Sequence, residues 1–371
     1  MIKVLFLIHD LGQGGAEKVL INLVNNMDKT KFDITVMSLF AGGVNEQFLS
    51  KDVRYITCFK KMIPANSKLM KLLTPKQLHK LLIKDTYDLE ISYLEGPCSR
   101  IISGCQNIHT KLISWIHVEQ HTLENVSYSF RNGDEAKKCY NKFDKIACVS
   151  EYVKRDFTSI INMYDKCQVV HNTIESDEII KKSFELETKL EKDDKIKIIA
   201  VGTLKKSKGY ERLIRIMSRL INDKKTVHLY ILGVGPMEEQ LKKQIKELGL
   251  EKDVTLLGYD TNPYKYVAKS DVFVCSSFAE GFSTAATEAL ILGVPVCTVE
   301  VSGMKEMLGE NNEFGIVTEN NEDALYQGIK SLLDDDNLMK QYAVKAKSRS
   351  KMFSKDQTVQ DVENMLTNIL L

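Results

Sequence analysis

Asp271–Leu290, DVFVCSSFAEGFSTAATEAL, is the stretch whose reading decides the fold. Asp271 to Cys275 is a short apolar run of the kind that makes a strand buried on both faces, and the second half reads as a helix ending near Gly293-Val294-Pro295. A buried strand that turns directly into a helix is half of a βαβ unit. The turn presents two glutamates, Glu280 before the helix and Glu288 on its first turns, with exposed backbone amides between them. Such a helix start attracts anions through its unpaired amides and its dipole. A carboxylate placed there needs another reason, and sugar hydroxyls, donors that a carboxylate accepts in pairs, supply one. The plainer reading makes Glu280 a helix-terminal charge and Glu288 a solvated helix residue, and the rest of the chain has to decide between them.

The strand-then-helix pattern recurs almost from end to end. In the first half the strand candidates are Ile2–Ile8, Phe32–Leu39, Leu89–Leu94, Lys111–Ile116, Lys145–Val149 and Gln168–His171. The pattern breaks into a lysine- and glutamate-rich stretch around Ser176–Asp194, and a second series follows at Ile196–Val201, Val227–Leu232, Val254–Leu257, Asp271–Cys275, Pro295–Val299 and Gly315–Val317. Alternation of this kind predicts an α/β protein with two doubly wound, Rossmann-like domains, residues 1–180 and 190–354, each with right-handed crossovers. Ligands bind at the carboxyl ends of such strands, so two facing domains imply a cleft between them. The last segment, Gln357–Leu371, reads as an amphipathic helix.

Composition narrows the function classes. The 371 residues are 43% hydrophobic and 27% charged with a net charge of +1, which fits a globular protein and argues against a general nucleic-acid binder. Eight cysteines are scattered, mostly in apolar runs and without a C-x-x-C pair, as expected of free thiols in a reducing compartment. The amino-terminal run Met1–His9 is short for a signal peptide and no apolar segment approaches the roughly 20 residues of a membrane span. A cytoplasmic location follows, with any membrane contact peripheral.

Several loops at predicted strand ends carry chemistry. Gly12-Gln13-Gly14-Gly15-Ala16-Glu17 follows the first strand and opens a helix, so backbone can approach a ligand there; it is not G-x-G-x-x-G, which argues against a dehydrogenase site. His117 closes the strand Lys111–Ile116, where an imidazole can donate, accept or carry charge, or can simply be a satisfied structural histidine. Gly202-Thr203-Leu204-Lys205-Lys206-Ser207-Lys208-Gly209 sets three lysines in a glycine-flanked loop suited to a diphosphate, although no Walker pattern is present. Gly233-Val234-Gly235-Pro236 ends the next strand and predicts a proline-first helix, and Gly258-Tyr259 ends the third, where an aromatic can flank a base. Between Lys60 and Lys84 lie seven lysines and no acid, interleaved with leucines. Such a helix can lie on an anionic bilayer, with Lys68, Lys71, Lys76 and Lys80 toward head groups, or pack its leucines on the sheet as an ordinary crossover.

Together Lys208-Gly209, Gly233-x-Gly235-Pro236, Leu257-Gly258-Tyr259, Asn262-Pro263-Tyr264, Asp271–Ser277 and Glu280-Gly281-Phe282 through Glu288-Ala289-Leu290 resemble the family 4 retaining glycosyltransferases of the GT-B fold. The two glutamates, eight positions apart, match that family's E-x7-E signature. In the first half Gly14–Glu17 and Trp115-Ile116-His117 match. The resemblance implies transfer of a sugar from a nucleotide diphosphate sugar, UDP-linked by preference, to an acceptor hydroxyl with retention at the anomeric carbon and no metal. It implies that Lys208 neutralises the departing diphosphate, that Glu280 and the amides of Gly281, Phe282, Ser283 and Thr284 hold donor sugar and phosphate, and that Glu288 takes the ribose. Gly14 and Gly15 bring backbone to the donor, and His117 sits near the reacting sugar. Many relatives have an arginine where this chain has Thr203, and Lys205 or Lys206 can substitute as a point charge.

The same resemblance implies that the terminal helix 355–371 returns to the acceptor-side first domain, and that two chain crossings form a hinge. Asp334-Asp335-Asp336 matches a metal-binding D-x-D as letters but reads as a solvated turn, so no metal site is expected. Val301–Leu308 is similar to bacterial capsular and exopolysaccharide enzymes, whose acceptors are saccharides, often polyprenyl-diphosphate-linked at the inner membrane face. The alternatives are a nucleotide-sugar epimerase of the same fold, which needs no acceptor, and a non-catalytic nucleotide-sugar-binding assembly subunit.

Overall fold

Two parallel sheets organise the chain. The computed structural model describes residues 1–12, 14–61, 70–280, 282–301 and 303–371. Contacts divide it into two compact units, Met1–Ile174 with Lys355–Leu371, and Glu175–Ser354.

The first unit is built on seven strands, β1 (Ile2–Ile8), β2 (Phe32–Phe40), β3 (Arg54–Phe59), β4 (Leu89–Ser92), β5 (Lys111–Ile116), β6 (Lys145–Cys148) and β7 (Cys167–Val169), in the order β3-β2-β1-β4-β5-β6-β7. Every pairing is parallel, and Val4 stands between Ile34 and Leu89. Because both faces are covered, the central strand is apolar throughout, with Val4 to Ile8 fully buried. The chain leaves β1 toward β2 on one side and resumes at β4 on the other, so the carboxyl ends of β1 and β4 form a topological switch point. The helix Gly15–Asn26 lays Val19, Leu20, Leu23 and Val24 inward at helical spacing. The terminal helix Lys355–Asn368 belongs to this unit: Val359, Val362, Met365 and Leu366 are buried, and Glu363 Oε1 accepts from Asp28 N at 2.6 Å. Burial of each such side chain contributes about 1.5–3 kcal/mol.

The second unit repeats the plan with β8 (Ile196–Val201), β9 (Val227–Leu232), β10 (Val254–Gly258), β11 (Val272–Cys275), β12 (Val296–Val299) and β13 (Ile316–Thr318), in the order β10-β9-β8-β11-β12-β13. Its switch point lies between β8 and β11. The helix Tyr210–Asn222 turns Leu213, Ile214, Ile216, Met217 and Leu220 into the core around β8 and β9. The charged stretch after Ile174 is not open linker throughout, since Ser176–Ser183 forms a helix that buries Ile179 within the second unit.

Among the described residues, twelve of the thirteen strands coincide with the apolar runs of the sequence to within two or three residues. The exception, β3, is an edge strand whose side chains are mostly half-buried, so its composition is mixed and its pairing with β2 is visible only once the sheet exists. One local reading is corrected. Pro236 does not begin a helix: Met237 N donates to Leu204 O at 3.0 Å, which commits the turn to the neighbouring loop, and the helix runs Glu238–Glu247. Asp334-Asp335-Asp336 is exposed at the junction of two helices, where Asp335 caps the helix Asp336–Ser350 by accepting from Asn337 N and Leu338 N and Asp334 pairs with Lys225 and Lys330.

Candidate active site

Lys208 and Glu280 meet at the switch point of the second sheet. Lys208 ends a single 3-10 turn after β8, and Glu280 stands five residues beyond β11; Lys208 Nζ lies 2.5 Å from Glu280 Oε1. Ser277 Oγ donates to the same carboxylate oxygen at 2.5 Å. Both charged side chains are largely but not wholly buried, at 21% and 13% exposure, so the cluster is desolvated yet reachable. Cys275 lies beneath, where burial first and the Glu280 charge second push its thiol up, and its Sγ is 3.5 Å from Ser277 Oγ. A protonated thiol is a poor nucleophile.

Backbone interlock fixes this cluster. Gly209 adopts φ +65°, and a Cβ there would come 2.1 Å from Ser276 O, so the lysine loop and the glutamate loop touch main chain to main chain. Gly233, at φ +151°, is pressed against Gly202 O in the same way, at 2.0 Å for a Cβ. Gly235 packs on the Leu204 backbone, so its missing side chain serves loop-on-loop contact. Arg212, 2% exposed, donates from Nε to Ser276 O and from Nη2 to Ser277 O, both at 2.8 Å, and stacks on Phe278 with its guanidinium 4.1 Å from the ring centre. Sequence reasoning passed over Arg212 and Ser277. The one signal was an arginine on the inward face of an otherwise apolar helix.

Ser283 caps the helix Thr284–Ile291 by accepting from Ala286 N at 3.3 Å, and Thr284 opens the helix, half-buried. Phe282 is buried against Phe353, ring centres 5.4 Å apart. Gly281 lies outside the described residues. Glu288 is not a solvated helix residue: it is 7% exposed and accepts from Tyr264 Oη at 3.4 Å. Thr203 and Lys205 stand exposed on the β8 loop, and Tyr259 projects, 64% exposed, from the end of β10.

In the first unit Gly14 and Gly15 are exposed at the start of the helix after β1. A Cβ on Gly14 would lie 2.0 Å from Glu17 Oε2, so the glycine lets that carboxylate fold back over the turn, whereas Gly15 faces open space. His117 is buried one residue beyond β5, packed on Tyr93 with ring centres 4.9 Å apart. Burial pushes its imidazole down to about 4, against the opposing pull of a bond to the Tyr93 backbone. A neutral ring bonded at one nitrogen leaves the other as an acceptor, and among the described residues Nε2 has no partner. Glu95 Oε1 accepts from the backbone N–H groups of both His117 and Val118 and so anchors the histidine turn. Next to it, at the switch point of this sheet, a cavity of about 380 Å³ is lined by His9, Glu95, Gln120, Asn125, Tyr128 and Ser129.

Of the lysine-rich stretch, Lys68 lies outside the described residues. Lys76 and Lys80 are exposed on the helix Pro75–Leu82, which packs inward through Leu78, and Lys71 is half-buried with its Nζ 5.8 Å from the Tyr128 ring centre. Arg100 and Arg131 hold this turn, donating to the carbonyls of Met70, Leu73, Lys71 and Leu72. Leu72 is thereby left 76% exposed, and Leu81 is 54% exposed. No described helix is long and apolar enough to cross a membrane.

Two doubly wound sheets, one with an acid–lysine cluster at its switch point, define a class of α/β proteins that bind ligands at the carboxyl ends of their strands, and comparison with known proteins gives the family. Residues 13–178 match the family model described as Glycosyltransferase Family 4, and residues 181–349 match Glycosyl transferases group 1. The chain is 32% identical to the N-acetylgalactosamine-N,N'-diacetylbacillosaminyl-diphospho-undecaprenol 4-alpha-N-acetylgalactosaminyltransferase of Campylobacter jejuni, over 97% of this chain and 98% of that one. A second Campylobacter jejuni enzyme, an alpha-1,4-N-acetyl-D-galactosaminyltransferase acting on a diNAcBac-PP-undecaprenol saccharide, is 25% identical over 95% of each chain. The crystal structure of Anabaena HepE in complex with UDP-glucose superposes with a TM-score of 0.79 at 19% identity, covering 99% of this chain and all of that one, which establishes the shared GT-B fold. The chain therefore belongs to the family 4, group 1 glycosyltransferases, and its activity is glycosyl transfer.

Proposed function

We propose that this glycosyltransferase moves a sugar from a UDP-sugar to a lipid-diphosphate-linked saccharide, with retention and without a metal, at the cytoplasmic face of an anionic membrane. The observation that carries the reading is the Lys208–Glu280–Ser277 cluster at the β8/β11 switch point, where phosphate and hydroxyl groups find a cation, a carboxylate and helix-start amides together. The likeness to HepE, solved with UDP-glucose, supports the donor, and the names of the Campylobacter relatives support the acceptor and a place in surface-polysaccharide assembly.

In this reading Lys208 turns from Glu280 toward the diphosphate and stabilises charge as it develops on the leaving oxygen, the electrostatic contribution a metal makes elsewhere. Lys205 and Lys206 add diffuse charge where Thr203 stands. Glu280 takes donor-sugar hydroxyls and Glu288 the ribose. His117 Nε2, neutral and unpartnered, accepts from a sugar hydroxyl. The acceptor saccharide occupies the cavity beside Glu95. The bond from the anomeric carbon to phosphate breaks while the acceptor oxygen bonds to the same face, and the acceptor proton passes to the leaving phosphate. The protonated Cys275 thiol fits this route better than a covalent enzyme intermediate. Lys71, Lys76 and Lys80, with Leu72 and Leu81, meet the membrane.

The test is transfer from a panel of UDP-sugars to a short-chain polyprenyl-diphosphate saccharide, with the product anomer read by NMR and EDTA present throughout. An axial product from an axial donor, formed at full rate in EDTA, is expected. An inverted anomer removes the retaining mechanism, and loss of rate in EDTA removes metal independence. Sedimentation with anionic vesicles should fall several-fold in a Lys76→Glu, Lys80→Glu variant; equal sedimentation removes the membrane contact.

A further inference from the structure

Among the described residues one group of mixed metal-binding side chains converges, in the first unit: His79, Glu90 and Cys105. His79 lies on the helix Pro75–Leu82, Glu90 on β4, and Cys105 in the loop after the helix Pro97–Ile102. One ligand atom from each lies within 4.8 Å of the others. His79 Nε2 is 2.7 Å from Glu90 Oε2, and Cys105 Sγ is 3.8 Å from Glu90 Oε1. Glu90 is 2% exposed, in the second position of a four-residue central strand where a hydrophobic residue would ordinarily sit. A carboxylate buried there needs a compensating partner, which the His79 ring supplies at 2.7 Å and a cation bound among the three side chains would replace.

The three segments are brought together by backbone. A Cβ on Gly104 would come 2.0 Å from Pro75 O and 2.9 Å from His79 Cβ, so the loop and the helix already touch next to the ligands, and the convergence does not depend on long flexible side chains. One nitrogen, one carboxylate oxygen and one sulfur form a donor set suited to Zn²⁺, with a fourth tetrahedral position open to water. The site is separate from the transfer chemistry: Glu90 pairs with Leu112, five residues before His117, or roughly 16 Å along the strand.

We propose that His79, Glu90 and Cys105 form a three-ligand Zn²⁺ site that staples the lysine-bearing helix Pro75–Leu82 to the sheet. Zn²⁺ takes the place of the proton shared by His79 and Glu90 and of the Cys105 thiol proton, and these protons leave to solvent. No electron is transferred, and the proposal does not rest on the donor or acceptor assigned above.

The test uses the full-length protein, stripped with EDTA, dialysed and titrated first with Co²⁺ and then with Zn²⁺. One equivalent of Co²⁺ should bind with a thiolate-to-cobalt charge-transfer band in the near ultraviolet, and Zn²⁺ should displace it and raise Tm. Cys105→Ser, a one-atom change at a partly exposed position, should abolish the band and most of the Tm shift, and His79→Gln should weaken Zn²⁺ binding by at least about 10-fold. Wild-type protein that binds Co²⁺ without the band, or binds none, overturns the site; so does a band that persists undiminished in Cys105→Ser, which would place the thiolate elsewhere. Circular dichroism of both variants checks that a lost signal is not lost fold.

Discussion

Glu280 and Lys208 pair with each other while both keep some contact with water, so a change that keeps the shape of one and removes its charge leaves the other hydrated, and the reaction should suffer more than the fold. Glu280→Gln keeps the shape and the Ser277 contact but loses the charge. We expect kcat to fall by about 10²–10³-fold, with Tm within a few degrees of wild type; activity within two-fold of wild type would remove Glu280 from the reaction. His117 gives a pH prediction. Its native pKa is near 4, against 6.5 for the free group, so above pH 6.5 it is neutral in both states and contributes no pH dependence. As pH falls from 6.5 to 4 the unfolded chain binds a proton that the native chain refuses, and stability drops by up to about 3 kcal/mol. Urea midpoints over that range should slope less in His117→Gln than in wild type. Identical slopes would show that the buried imidazole does not titrate as described. The glutamate pair and the histidine stand out in the sequence as candidates because strand-end position and residue type point to chemistry. Their supports, Ser277, Tyr264 and Glu95, were not, because each acts through a contact across separate loops.

At the scale of elements, the donor-side loops are held by main chain pressed on main chain. Gly233→Ala sets a methyl 2.0 Å from Gly202 O at a φ of +151°, and the β8 and β9 loops must part. We expect a loss of about 3 kcal/mol in urea unfolding together with weakened donor binding. Arg212→Ala should cost a similar ~3 kcal/mol, since the carbonyls of Ser276 and Ser277 lose charged donors, and Arg212→Lys should recover part of the loss but not the planar fork. A neutral result for either alanine variant would show that the loops hold by other means. The glycines were visible in the sequence as strand-end punctuation, but their purpose was not. Gly235 reads in the sequence as the end of a strand, and its packing on the Leu204 backbone depends on which loop lies opposite.

For the whole molecule, stabilisation by ligand is the most direct check. UDP or the correct UDP-sugar at 100 times Kd should add about 2.7 kcal/mol, read as a Tm increase that Lys208→Ala diminishes. No shift with any nucleotide sugar would overturn the donor assignment. Deleting Lys355–Leu371 should destabilise the first unit, because four apolar side chains and the Glu363 bond to Asp28 are lost from it although the segment is far away in sequence. The sequence by itself determined the α/β class and twelve of the thirteen strands among the described residues, and it singled out the acid, lysine and histidine candidates, since buried parallel strands are continuous apolar runs and motif spacing is local. The tertiary structure alone decided that Glu288 is buried under Tyr264, that Arg212 braces the glutamate loop, that β3 completes the first sheet, and that His79, Glu90 and Cys105 converge. These depend on which segments sheet order brings together, and pairwise burial and charge compensation across long sequence separations leave no periodic trace in the chain.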